Sequence, residues 1–215
     1  IPEIAVKKRE KSKKQQLLLT NKRVDWGFKQ SVQAAQLRIE KQMEQEHKQV
    51  LLVSSTLPQE GKSMTAVNLA LAFMQHEKKT VLIDGDLRKP SVAEMLGMEE
   101  QKGLAEYLKG NAKVKEVLQK KGDLTVIQGG KVHGNISSLM DESRMEELMT
   151  FLKSEFDYVI IDTPPAYLFS DAAILAGYAD RVLYVVRHDM AEIPQIEKGM
   201  ESFIQEDKLL GYLIN

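Results

Sequence analysis

The chain has no cysteine. Disulfides, thiolate nucleophiles and Cys-ligated metal centres are therefore excluded, and the absence suits a reducing compartment. There is also no uninterrupted apolar run of the roughly 20 residues that a membrane-spanning helix needs. No secretory signal pattern is visible at the start. Net charge is nearly lacking: 30 Lys and Arg oppose 31 Asp and Glu, which leaves −1. A chain so balanced is not an electrostatic nucleic-acid binder as a whole, so nucleic acid is not an expected partner. Internal repeats are missing, and so are low-complexity stretches outside a basic start. What the 215 residues do have is an ordinary globular balance, 43% hydrophobic and 28% charged, enough for one well-packed domain.

The charge that is present is unevenly spread at the start. Lys7, Lys8, Arg9, Lys11, Lys13 and Lys14 are opposed only by Glu10. Two readings stand: a solvated tail, or a juxtamembrane arm drawn to anionic lipid. Residues 1–24 read as this linker, and 25–215 as a single domain. From Trp26 to His47 the apolar residues Phe28, Val32, Ala35, Ile39 and Met43 recur at helical spacing, which predicts a helix with one packed face.

From Gln49 onward, short apolar runs alternate with helical segments. The runs 50–55, 80–84, 124–127, 157–161, 181–186 and 209–214 are apolar throughout rather than alternating, as strands covered on both faces are. Between them the pattern predicts helices at 62–77, 92–96, 104–109, 113–120, 143–154, 170–177 and 193–205. Such alternation implies an α/β fold, a mostly parallel sheet with right-handed crossovers and helices on both faces.

The first chemical signal is L-L-V-S-S-T-L-P-Q-E-G-K-S-M, a strand that runs through a loop into a helix. A phosphate-binding loop needs this context. Gly61 allows the backbone to approach phosphate oxygens, and N–H groups at a helix start attract anions. Lys62 is placed to reach β- and γ-phosphates, and Ser63 to give its hydroxyl to Mg²⁺. Thr56 stands where the usual pattern has a further glycine. The second signal is a pair of acidic strand ends, V-L-I-D-G-D-L-R-K-P and V-I-I-D-T-P-P. Ligands of open α/β sheets bind at the carboxyl ends of strands, so Asp84, Asp86 and Asp162 arrive on the edge that carries the loop. There they suit a metal ion or its waters, and Asp86 could take a proton from an incoming hydroxyl. Arg88 could pair with phosphate, with Asp86, or with a surface partner.

These three elements, in this order, resemble the bacterial tyrosine kinase family, P-loop kinases of capsule and exopolysaccharide synthesis related to the partitioning and septum-site ATPases. S-S-T-L-P-Q-E-G-K-S is similar to its Walker A, V-L-I-D-G-D-L-R-K-P to its additional Walker A′, and V-I-I-D-T-P-P to its Walker B. Ser170-Asp171-Ala172, the V-V-R that ends at Arg187 and the final L-L-G-Y-L-I-N also look like the family. The resemblance implies a P-loop NTPase fold and an autophosphorylating protein-tyrosine kinase. It implies ATP or ADP held by Pro58, Glu60, Gly61, Lys62, Ser63 and Met64, with Arg88, Arg187 and Asn215 around it. It implies Mg²⁺ organised by Ser63, Asp84, Asp86 and Asp162, with Lys62 and the three aspartates as the catalytic set. It further implies a membrane adaptor or polysaccharide co-polymerase, fused or separate, a homo-oligomeric ring, and a place at the inner face of the cell membrane. I-P-E-I followed by basic residues resembles the stretch after the second transmembrane helix of fused members.

Departures from the family pattern sharpen what to look for. Gln59 stands where the family has glycine; it fits with a negative φ, whereas a positive φ costs roughly 1 kcal/mol or more. Met64 replaces a hydroxyl residue. The N-terminal helix keeps only Arg38 of the Glu-x-x-Arg-x-x-Arg pattern tied to ring assembly. No tyrosine cluster is seen, and the last tyrosine, Tyr212, falls in a strand predicted to be buried. Tyr158 and Tyr184 read as core, Tyr107 and Tyr167 as more accessible, and His133 and His188 as lone histidines. Two other readings remain: a partitioning-type ATPase switch, and a degenerate interaction module without kinase activity.

Overall fold

The computed structural model describes residues 17–132 and 142–215. The basic run at 7–14 and His133 lie outside them. Seven strands form one sheet in the order β3-β4-β2-β5-β1-β6-β7. These are β1 (Val50–Ser55), β2 (Thr80–Asp84), β3 (Gln119–Lys121), β4 (Leu124–Ile127), β5 (Tyr158–Asp162), β6 (Arg181–Val186) and β7 (Leu209–Ile214). Every pairing is parallel except β3 with β4. The helices are α1 (Trp26–Gln45), α2 (Lys62–Gln75), α3 (Val92–Leu96), α4 (Leu104–Leu108), α5 (Val114–Val117), α6 (Glu142–Glu155), α7 (Asp171–Ala176) and α8 (Ile193–Gln205).

The sheet separates two apolar layers. Successive strand residues point to opposite faces, so Leu51 and Val53 join Phe28, Val32, Leu69 and Phe73 of α1 and α2. Val50 and Leu52 join Leu148, Leu175 and Phe203 of α6, α7 and α8 on the other side. This two-sided burial is why the strands carry no polar alternation. Within α1, Phe28, Val32, Ile39 and Met43 are buried as the spacing predicts, and Asp25 caps the helix by accepting from Phe28 N at 3.0 Å.

The structure differs from the sequence reading in four places. The packed body starts before residue 24. Leu18, Leu19 and Val24 are buried, and Leu19 N donates to Asn68 Oδ1 at 2.9 Å. The helix predicted at 113–120 ends at Val117, and Gln119–Lys121 turns back as β3. Gly122, at φ 60°, makes the turn, and the Gln119 amide ties the strand to Lys102 O at 2.9 Å and to Gln128 Nε2 at 2.6 Å. Tyr107, expected to be accessible, is buried, with its hydroxyl 3.3 Å from Glu147 Oε2. Tyr212, expected to be buried, is 67% exposed, because β7 is an edge strand. Tyr158 and Tyr184 are core residues as read.

Candidate nucleotide and phosphoryl-transfer site

Neighbouring strands bring the site together. β5 lies between β2 and β1, and its Asp162 is in register with Asp84 on one side and Val53 on the other. Gly85 makes this junction possible. Its N–H donates to Asp162 O at 2.7 Å, and a Cβ there would stand 2.7 Å from that oxygen and 2.9 Å from Leu175 Cδ1. The middle residue of D-G-D is thus fixed by close backbone approach, a requirement the motif held but composition did not reveal.

After β1 the chain runs through the loop to Gly61, which precedes α2 at φ 98°. A Cβ at Gly61 would collide with Asn215 Nδ2, and that amide donates to Glu60 O at 3.0 Å. Glu60 is fully buried as an internal brace. Its Oε2 accepts from Leu57 N at 2.5 Å, and its Oε1 accepts from Arg187 N at 3.4 Å. The Arg187 guanidinium donates to Gln59 O at 3.3 Å. Gln59 itself adopts φ 68°, the glycine-favouring conformation, so its side chain sits at a strained position. Thr56, at the place of the usual glycine, accepts from the Tyr184 hydroxyl at 3.2 Å beneath the loop. Pro58, Gln59, Lys62, Ser63, Met64 and Asp86 border a cleft of about 440 Å³.

Lys62 is 8% exposed. Its Nζ lies 3.0 Å from Asp86 Oδ2, 3.6 Å from Asp162 Oδ1 and 3.1 Å from Ser63 Oγ. Burial alone would lower its pKa, but the facing Asp162 and Asp86 carboxylates outweigh burial and hold the ammonium form. Burial instead pushes Asp84 and Asp162 above the usual carboxylate range. Asp162 adds to the rise of Asp84 by like-charge repulsion, and Lys62 opposes the rise of Asp162. Asp84 Oδ2 accepts from Ser91 N at 2.9 Å and Val92 N at 3.0 Å at the start of α3. Asp84 Oδ1 and both Asp162 oxygens are buried without a hydrogen bond. Asp86 accepts from Lys89 N at 3.0 Å through Oδ1, so both its oxygens are engaged.

The donor set suits a hard cation. Ser63 Oγ and the Asp84 and Asp162 oxygens that accept no hydrogen bond are all oxygen ligands, the kind Mg²⁺ takes. Among the described residues no three His, Asp or Glu side chains form a metal-holding group by themselves. A Mg²⁺ ion here would therefore draw its other ligands from phosphate and water, its usual habit. Of the expected nucleotide residues, Pro58, Gly61, Lys62, Ser63 and Met64 line the cleft, while Glu60, Arg187 and Asn215 brace the loop. Arg88 is occupied elsewhere. Its Nε pairs with the buried Asp171 Oδ2 at 2.6 Å, and its guanidinium lies 4.3 Å from the Phe169 ring centroid. Asp171 sits in the S-D-A run, where nothing in the sequence gave it a role. His188 pairs at 3.0 Å with its exposed neighbour Asp189.

This arrangement has known counterparts. The ParA family, described as NUBPL iron-transfer P-loop NTPase, matches residues 46–176. Tyrosine-protein kinase YwqD of Bacillus subtilis (strain 168) is 36% identical over 168 residues, covering 77% of this chain and 71% of that protein. Tyrosine-protein kinase ptk of Acinetobacter johnsonii is 30% identical over 169 residues; this chain spans 77% of its own length but only 23% of that longer relative. The kinase domain of Escherichia coli tyrosine kinase ETK superposes with a TM-score of 0.82 at 28% identity, over 86% of this chain and 74% of that one. With the loop, the paired acidic strand ends and the sheet order all in place, the chain belongs to the bacterial tyrosine-protein kinase family of P-loop NTPases.

Proposed function

We propose that this domain transfers the γ-phosphoryl group of ATP to tyrosine hydroxyls, as an autophosphorylating kinase that regulates capsular or exopolysaccharide synthesis and export. One observation carries the reading: Lys62, Ser63, Asp84, Asp86 and Asp162 meet at one sheet edge, with three carboxylate oxygens buried and free of hydrogen bonds. Buried acceptors without hydrogen bonds are costly; Lys62 offsets only the Asp162 Oδ1 side, and a bound cation would satisfy the others.

The roles follow from position. The N–H groups at the start of α2 receive phosphate. Lys62 exchanges Asp86 and Asp162 for β- and γ-phosphate oxygens, and this frees the Asp86 carboxylate to accept the tyrosine proton. Ser63, Asp84 and Asp162 would hold Mg²⁺, which would neutralise charge on the phosphates. The protein contributes orientation and fixed charge, with no covalent step of its own. The wider reading includes a membrane adaptor or polysaccharide co-polymerase as partner, a place at the inner membrane face and a homo-oligomer. No helix among the described residues is long and apolar enough to cross a membrane.

The test is incubation with Mg·ATP and a tyrosine-rich acceptor peptide, with and without the cytoplasmic segment of a family adaptor. Phosphotyrosine and free phosphate are followed together, with Lys62→Met as the blank. Phosphotyrosine that disappears in the blank is the expected result. Free phosphate alone would mark a partitioning-type switch. Neither product, with no nucleotide binding by calorimetry, would leave an interaction module.

A further inference from the structure

Thr56 opens the phosphate loop where the usual pattern has glycine, and it is fully buried. A β-branched side chain has few rotamers, and a buried hydroxyl needs a partner. Tyr184 supplies that partner. β6 runs beside β1 with Tyr184 in register with Ser54, and the ring reaches forward so that Oη donates to Thr56 Oγ1 at 3.2 Å. Tyr184 is itself fully buried. Burial, with the Glu60 charge adding to it, pushes the phenol up to about 12, so the hydroxyl stays a donor near neutrality. Behind the hydroxyl the space is closed by α8. A Cβ on Gly199 would collide with Tyr184 Oη, so the helix passes the phenol at a residue without a side chain. The phenol oxygen is thus set between α8 and the first residue of the loop. The far end of the loop has a separate brace, the buried Glu60 carboxylate on Leu57 N and Arg187 N.

We infer that Tyr184 is a positioning residue for nucleotide binding: backed by α8 at Gly199, its hydroxyl holds Thr56 and so fixes the start of the loop that receives phosphate. The inference rests on the reading of this loop as the nucleotide site. Tyr184 touches no substrate and acts through Thr56. A loop fixed at both ends before the ligand arrives spares binding an ordering cost. Without the phenol oxygen the loop keeps its Glu60 brace but loses the anchor at Thr56, and ATP must order that end. The loss falls on affinity, because the loop grips the phosphates in the ground state as well as in the transition state. The same geometry gives α8 a route to the loop. A methyl group at Gly199 would meet the phenol oxygen first, so a change on this helix reaches Thr56 through Tyr184.

The experiment measures Mg·ATP affinity by calorimetry at a temperature where every variant is folded, with melts alongside. Tyr184→Phe should weaken binding about tenfold, the scale of one buried hydrogen bond. Thr56→Val keeps the branched side chain, removes the other partner and should weaken binding equally. The double variant should then be no weaker than either single one, as expected for two ends of one interaction. Gly199→Ala should also weaken binding, but should add little in the Tyr184→Phe background, where the atom it meets is gone. Tyr158→Phe, a buried tyrosine at the opposite end of its strand from Asp162, controls for packing and should bind as the wild type does, whatever its melting temperature. Wild-type affinity in Tyr184→Phe overturns the inference. So does a loss that Tyr158→Phe reproduces, or effects of Tyr184→Phe and Thr56→Val that add in full. A wild type that binds no ATP overturns the inference together with the nucleotide reading. A wild type that binds ATP without labelling tyrosine fails the kinase reading alone, and the affinities still decide the role of Tyr184.

Discussion

Gln59 holds a conformation that its side chain resists. At φ 68° a non-glycine residue gives up about 1 kcal/mol relative to glycine. The loop keeps it there through the Arg187 guanidinium on its carbonyl and the buried Glu60 next to it. Gln59→Gly should therefore raise stability by about 1 kcal/mol, a rise of roughly 2–4 °C in Tm for a domain of this size. A scanning melt that shows no change or a fall would contradict this reading. Gly61→Ala faces the reverse situation, with φ 98° and the Asn215 amide in the way. It should cost about 1–3 kcal/mol and abolish nucleotide binding measured by calorimetry. Arg88 offers a third test. Its removal leaves Asp171 buried without its counter-charge. Arg88→Ala should cost roughly 2 kcal/mol in a denaturant melt, less than a fully buried pair because the arginine is one-third exposed. If Arg88 held phosphate instead, the loss would fall on KM for ATP and stability would be unchanged.

The elements were legible where burial dictates composition. β1, β2 and β5 are apolar runs that end in chemistry, and reading them placed Lys62, Asp84 and Asp162 on one edge. β3 was not legible, because Gln119–Lys121 carries no apolar signal. Amide hydrogen bonds and a glycine turn hold it, and these depend on residues distant in sequence. Tyr212 was misread for a related reason: an apolar run does not say whether its strand lies at the centre or the margin. Arg88 was left open between phosphate, Asp86 and a surface partner, because its actual partner Asp171 lies 83 positions away. One element start also carries a pH dependence. Burial would raise Asp180, but the N–H groups of Gln49 and Val50, with Lys153, hold it below the usual carboxylate range. A lowered folded pKa gives stability that is present above the unfolded value and is lost as pH falls through the folded one. In denaturant titrations, wild type should be more stable than Asp180→Asn near neutrality. The gap should narrow as pH falls through and below the ordinary carboxylate range.

At the scale of the molecule, the site is a meeting of distant segments. The loop after β1, the ends of β2 and β5, and the ends of β6 and β7 converge only when the whole sheet forms. Occupancy should therefore stabilise the entire domain. Nucleotide at 100 times its Kd should add about 2.7 kcal/mol, seen as a rise in Tm that Lys62→Met lacks. The two margins of the sheet are unlike. β3 is three residues long, with Lys120 and Lys121 exposed, and such lysines discourage pairing with another strand. β7 is six residues long and uncharged. Among the described residues, a sheet with one lysine-flanked margin and one uncharged margin favours strand addition at the uncharged margin. Two such sheets joined at their uncharged margins present only lysine-flanked ones. Strand-to-strand contact between copies along β7 would thus terminate at a pair, with the lysines of the far margin opposing fibre growth.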